Sequence, residues 1–130
     1  MAAVNIVNVV SIYGKSTFYV PSGTTAVVLL ANAAASSTVC KINEITATNT
    51  TVTAATTTVS IYTNGAVAQG SAPSGGTAYP IAGTISVPAN ASLIVSDKTT
   101  AFYLEEGVSV SVTSGTGSAI TYTISYELMA

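Results

Sequence analysis

The chain has no histidine, no tryptophan, one cysteine and three lysines as its only basic residues. Each shortage excludes something. Without histidine the commonest general base and metal ligand is missing. A Ser or Thr nucleophile would have only Lys15, Lys41 or Lys98 to activate it. None of these lies in a catalytic motif, so no enzyme, no catalytic residue and no cofactor are expected. The lone Cys40 permits neither a disulfide within the chain nor a cysteine zinc site. Beside Ile42 on a strand it reads as a small buried apolar side chain. A net charge of −2 leaves no basic footprint for nucleic acid and no polybasic patch for an anionic membrane.

Long hydrophobic runs are missing too. Ala26–Ala31 (AVVLLA), even continued to Ala35, falls well short of the roughly 20 residues of a membrane-spanning helix. The opening MAAVNIVNVV has no basic region and is broken by Asn5 and Asn8, so no secretory signal is expected. Above all, charge is scarce. Charged residues make up 6% of the chain, against roughly 25% in an ordinary soluble domain. With 48% hydrophobic residues this is still a folding sequence rather than a disordered one. Its 130 residues make one domain, 1–130, and a domain of that size keeps about a third of its unfolded-state surface exposed. That surface must be built from Ser, Thr, Asn, Gly and aliphatic side chains. It repels its neighbours weakly and is easily desolvated, which predicts a subunit largely covered by other subunits.

What is present is alternation. Val108, Val110 and Val112 alternate with Ser109, Ser111 and Thr113; Ile120, Tyr122, Ile124, Tyr126 and Leu128 alternate with Thr121, Thr123, Ser125 and Glu127. A period of two gives each strand one apolar and one hydroxyl face. The same reading puts Ile81, Ile85 and Val87 on one face with Gly83, and pairs Val59 with Ile61. Thr25–Ala31 is apolar on both faces, the pattern of a central strand. Val39–Thr48 changes phase, which a bulge near Asn43-Glu44 would reconcile. Short strands at Ile6–Tyr13, Ser16–Val20, Ser92–Ser96 and Ala101–Leu104 bring the expected number to nine or ten. Pro21-Ser22-Gly23, Asn64-Gly65, Pro88-Ala89-Asn90, Glu106-Gly107 and Ser114–Gly117 are turn chemistry, and Asn64-Gly65 is a hairpin signal. Residues 1–4 read as a flexible N-terminal arm and 70–80 as a mobile, exposed loop. No segment carries a helical period. The fold class expected is all-β: an antiparallel, jelly-roll-like β-sandwich.

The Thr-rich stretch Thr46–Tyr62 (TATNTTVTAATTTVSIY) fits this scheme. Threonine is β-branched yet tolerates water, so it can furnish a sheet face that is neither charged nor greasy. Such a face is either solvated or packed against another subunit. Its spacing is too irregular for an ice-binding array. Other constellations are weak. Glu105 and Glu106 are adjacent, point to opposite sides of a strand, and read as solvated edge charges. Asp97, Glu105, Glu106 and Glu127 are scattered and match no calcium loop, so no metal site is expected. Asn49-Thr50-Thr51 and Asn90-Ala91-Ser92 match the glycosylation pattern, but in so Asn- and Thr-rich a chain chance explains them better. Tyr62 and Tyr79 are the candidates for stacking on a sugar.

Read in order, FYVPSGTTAVVLLAN, KINEITATN, GTISVPANASLIVSDKTTAFYLEEGVSVSV and ITYTISYELM resemble small virion structural proteins of tailed bacteriophages, cyanophages in particular. The resemblance runs from about Lys15 to Leu128. It rests on turn and core signals: Val20-Pro21 to Ala26, Val87–Asn90 with Leu93, Tyr103–Val112, and Ile124–Glu127. Where those proteins carry Gly-Asp-Ser, this chain has Gly107-Val108-Ser109. The resemblance implies a non-enzymatic virion protein made in the host cytoplasm and present in many copies. The expected role is capsid decoration or cement, with a homotrimer bound to the major capsid protein on the head surface. A tail, neck, baseplate or fibre component is the alternative, and a carbohydrate-binding adhesin module a further one.

Overall fold

A computed structural model describes residues 4–130; the expected arm at 1–4 therefore lies outside the described residues but for Val4. The described residues form nine strands: β1 (Ile12–Tyr19), β2 (Val27–Asn32), β3 (Val39–Asn49), β4 (Ala55–Tyr62), β5 (Ala78–Val87), β6 (Ser92–Ser96), β7 (Phe102–Leu104), β8 (Val108–Ser114) and β9 (Ile120–Met129). One 3₁₀ turn, Lys98–Thr100, separates β6 from β7. The strands make two antiparallel sheets. One runs β1-β9-β3-β6, with β7 also on β3, and the other runs β2-β8-β4-β5.

The pairing order explains the architecture. Strand β1 pairs β9, β2 pairs β8, β3 pairs β6 and β7, and β4 pairs β5. This is one long antiparallel hairpin folded over on itself. The added ladders β3–β9 and β4–β8 then close it into two facing sheets. That is the jelly-roll sandwich expected from the alternation. Between the sheets lie Leu29, Ile42, Ile45, Val59, Val110, Val112, Ile120, Tyr122 and Ile124, all fully buried.

Local chemistry sets where strands begin, bend and end. Asn43 is the extra residue of a bulge: Ile42 opposes Tyr126 and Glu44 opposes Ser125. This restores Ile45 and Ala47 to the inner face, as the phase change predicts. The two strands expected at Ile6–Tyr13 and Ser16–Val20 are a single one, β1, because β9 offers an unbroken ladder from Met129 to Tyr122. Residues 6–11 are excluded from it by a local turn, in which the Asn5 side chain accepts from Val7 N–H and its carbonyl from Asn8 N–H.

Three further expectations are corrected. Strand β2 is an edge strand rather than a central one. Its free edge is covered by the chain itself, with Gly70 N–H donating to the Val28 carbonyl and Val28 N–H to that of Ser71, each at 2.9 Å. Asn64-Gly65 is not a two-residue hairpin turn. It opens the long loop 63–77, and residues 78–80, assigned to that loop from sequence, belong to β5. Glycine is required at 65 because a Cβ there would lie 2.2 Å from the Asn32 carbonyl oxygen. Finally, β5 slips register twice against β4, and Thr84 takes φ 50°. Ala82 and Val87 therefore enter the core, while Ile81 and Ile85 stay largely exposed.

The two sheets differ on their outer sides. On the four-stranded sheet, Val28, Ser60, Tyr62, Ser109 and Ser111 alternate outward yet are buried. Loop 63–77 folds over them: Ser109 Oγ donates to the Asn64 carbonyl at 2.8 Å, and Gly76 N–H donates to the Tyr62 hydroxyl at 3.0 Å. Among the described residues no such loop covers the middle of the outer side of the five-stranded sheet, while Val39 and Met129 at one end of that side are buried.

Candidate interaction surface

The few charged and reactive side chains are dispersed by the fold. Cys40 is buried on β3, and burial pushes its thiol up to about 11, against a smaller downward pull from the Lys15 charge. Lys15 lies on the edge strand β1 opposite Tyr126, which packs against the core. Glu105 is exposed, but Glu106 is buried and accepts from Ser37 N–H at 3.2 Å. The reading of both as solvated edge charges thus holds for Glu105 alone. Among the described residues no three His, Cys, Asp or Glu side chains come together.

Beside the β3 bulge is an open cleft of about 490 Å³ lined by Asn43, Glu44, Asp97, Lys98, Thr99 and Ser125. Its Asp97 is committed to the 3₁₀ turn, accepting from the Thr99 hydroxyl at 2.6 Å and the Thr99 N–H at 2.9 Å. Those bonds hold the carboxyl below its ordinary range. The pair proposed for sugar stacking is also separated in role. Tyr62 is buried with its hydroxyl engaged by Gly76, whereas Tyr79 is exposed on β5. Of the two glycosylation patterns, Asn49 is fully buried, and Asn90 holds a turn at φ 55°.

What the fold does assemble is a surface. Reading across the ladders of the five-stranded sheet, the outward side chains fall into rows. Phe18, Thr123, Thr46 and Ile94 form one. Gly14, Glu127, Lys41 and Tyr103 form another. Ser16, Ser125 and Glu44 lie between them, and Thr121, Thr48 and Ser92 beyond the first. Hydroxyls knit the strands: Ser16 Oγ lies 2.9 Å from Ser125 Oγ, and Thr48 Oγ1 lies 2.8 Å from Ser92 Oγ. Thr46 and Thr48 of the Thr-rich stretch thus stand on this outer face. Thr57 of the same stretch points inward and bonds the hydroxyl of core residue Tyr122, a role the alternation alone did not reveal.

Large apolar side chains stand at the margins of the face. Phe18 is 71% exposed, Ile94 60%, Ile12 59% and Tyr103 48%. Side chains of that size gain about 1.5–3 kcal/mol when taken from water.

The sheet edges, by contrast, are guarded against strand addition. Strand β1 carries Lys15 on its inner face, β2 is capped by the loop, β5 contains Pro80 and two register slips, and β6 is five residues long. These are devices that blunt edge pairing. Contact by side-chain faces remains. Against this geometry, no protein-family model, no curated protein and no solved structure matches the chain.

Proposed function

We propose that this chain is a non-enzymatic structural subunit of a tailed-bacteriophage particle, in the role of a decoration or cement protein on the head. The observation that carries the reading is the hydroxyl-rich outer face of the five-stranded sheet, rimmed by exposed Phe18, Ile94, Ile12 and Tyr103. The turn and core motifs that resemble small phage virion proteins support it, as does the jelly roll, an architecture used by viral shells. Since lectins use the same architecture, the fold alone does not choose between roles.

In this reading the subunit binds other copies of itself and the major capsid protein. Apolar and hydroxyl contacts give affinity through area and shape, with few ion pairs. Capsids are stabilised because the subunit binds the intact shell and not its dissociated parts. The test is to purify particles that carry the protein, count copies by quantitative mass spectrometry and locate it by electron microscopy. Hundreds of copies over the head support the cement role. A few copies at the neck, tail, baseplate or fibres would replace it with the tail-component reading. Absence from particles together with specific glycan binding by the purified protein would replace it with the adhesin reading.

A further inference from the structure

We propose that two copies pair through the outer face of the five-stranded sheet, about a two-fold axis lying in the interface along the strands, between β3 and β9. The strand order β1-β9-β3-β6 is what makes this face self-complementary. A two-fold axis between the middle strands lays β3 of one copy on β9 of the other, and β1 on β6 or β7. Each cross-strand row then meets its own reverse.

The chemistry of the rows agrees. In the row Phe18, Thr123, Thr46, Ile94, the phenyl ring of one copy meets Ile94 of the other, and threonine meets threonine. In the row Gly14, Glu127, Lys41, Tyr103, Lys41 meets Glu127 of the second copy, and the Tyr103 ring lies over Gly14. Gly14 has nothing within 4 Å of where a Cβ would stand, so that spot is open to an incoming ring. Neither of these two rows sets an apolar side chain against a charge, and in the row between them Glu44 lies over Ser125 of the second copy.

Size agrees as well. Four strands at roughly 4.8 Å, and the 10 residues of β9 at roughly 3.4 Å each, span on the order of 600 Å² before side-chain relief. A stable interface needs about 800 Å² of accessible surface per partner. The opposite sheet is closed to such a contact by loop 63–77, and the guarded edges disfavour pairing by strand addition. A single face that meets itself closes at two copies, where the phage resemblance led to an expectation of three.

This pairing deepens the assembly-subunit reading and rests on it for its purpose. Its test uses purified full-length protein, so a failure here is distinct from a failure to find the protein on particles. Sedimentation equilibrium should give a dimer; a monomer or a trimer at high concentration would overturn the proposal. K41E and E127K should each raise the dimer dissociation constant at least about tenfold, because each places like charges together twice per dimer. Mixing the two variants should restore pairing, since each then supplies the charge the other needs. No recovery on mixing would overturn the register.

A second pair of variants avoids charge at half-buried sites. Phe18→Cys and Ile94→Cys, mixed and treated with a bis-maleimide spanning about 10 Å, the spacing of packed sheets, should cross-link one variant to the other. Neither variant should cross-link to itself, and buried Cys40 should not react. Self-linking of either variant, or no linking in the mixture, would overturn the proposal.

Discussion

Asn49 ends β3 with its whole carboxamide occupied. Its NH₂ donates to the carbonyls of Thr53 and Val87, and its oxygen accepts from Thr51 N–H and Thr51 Oγ1. Asn32 ends β2 in the same manner, donating to Thr38 and Leu104 carbonyls and accepting from the Ser36 and Thr38 hydroxyls. Each sits where the chain crosses from one sheet to the other, and each pins the crossing to a distant strand end. Replacing Asn49 by Ala would leave buried partners unmet, at about 1–3 kcal/mol for the group lost; a fall of that size in denaturant unfolding is expected, with the sheet fold retained by circular dichroism. Tyr122 and Cys40 make the core sensitive to alkali. Burial raises the Tyr122 phenol from 10.0 to about 12 and the Cys40 thiol from 9.0 to about 11. In both, the neutral form is favoured in the folded state, so the unfolded chain loses its proton first. Their contribution to stability is complete below pH 9 and is lost as pH rises through about 11 for Cys40 and about 12 for Tyr122. Melting temperature followed from pH 8 to 12 should fall over that range, and Cys40→Ala should flatten the lower part of the fall. An unchanged profile in the variant would mean the thiol is not the titrating group.

At the scale of elements, the long loop does the work of a further layer. It satisfies the backbone of edge strand β2 and covers Val28, Ser109 and Ser111 on the outside of the four-stranded sheet. Its point of entry depends on Gly65, where a Cβ would strike the Asn32 carbonyl and lie 2.9 Å from Val108 N. Both obstacles are backbone and cannot swing aside. Gly65→Ala should therefore destabilise the protein by about 1–3 kcal/mol, the cost of overpacking. Gly14→Ala on the open edge strand β1 should be near neutral, since nothing lies within 4 Å of the new methyl group. Urea midpoints of the two variants compare them directly, and equal losses would refute the close approach at Gly65. The hairpin expected from Asn64-Gly65 fails for a related reason. The Asn64 side chain accepts from Ala66 N–H and donates to the Ser74 carbonyl, which shapes a wide loop instead of a tight turn.

For the whole molecule, the decisive property is a chain with three basic and five acidic side chains in all, Glu106 among them buried. An interface drawn from its surface depends little on screening. Raising ionic strength from about 0.05 M to 0.5 M shortens the Debye length roughly threefold. If it holds the proposed place on a phage head, the protein is expected to stay on the particle through that step and to leave with denaturant or heat. Release by salt alone, seen on a gel of pelleted particles, would refute attachment by apolar and hydroxyl contacts. Lys41 and Glu127 are already cross-strand partners within one copy, so self-pairing should likewise weaken only modestly with salt.

Much of this was legible in the residues themselves. Alternation in Val108–Thr113 and Ile120–Leu128 determined the strands, the inner and outer sides of β8 and β9, and, through its phase change, the bulge at Asn43. Absent histidine and sparse charge set the character of the surface. These are local or additive properties: a period of two follows from the pleat, and composition needs no partner. Tertiary structure alone decided which strands lie at the edges, that loop 63–77 covers one sheet and not the other, that Glu106 turns inward and that Thr57 meets Tyr122. It also decided that Asn32 and Asn49 hold the crossings. Each of those outcomes depends on which distant residue stands opposite, as Leu104 does for Asn32 and Val87 for Asn49. A pleat tells which neighbours share a face, but only the closed ladder fixes what that face meets.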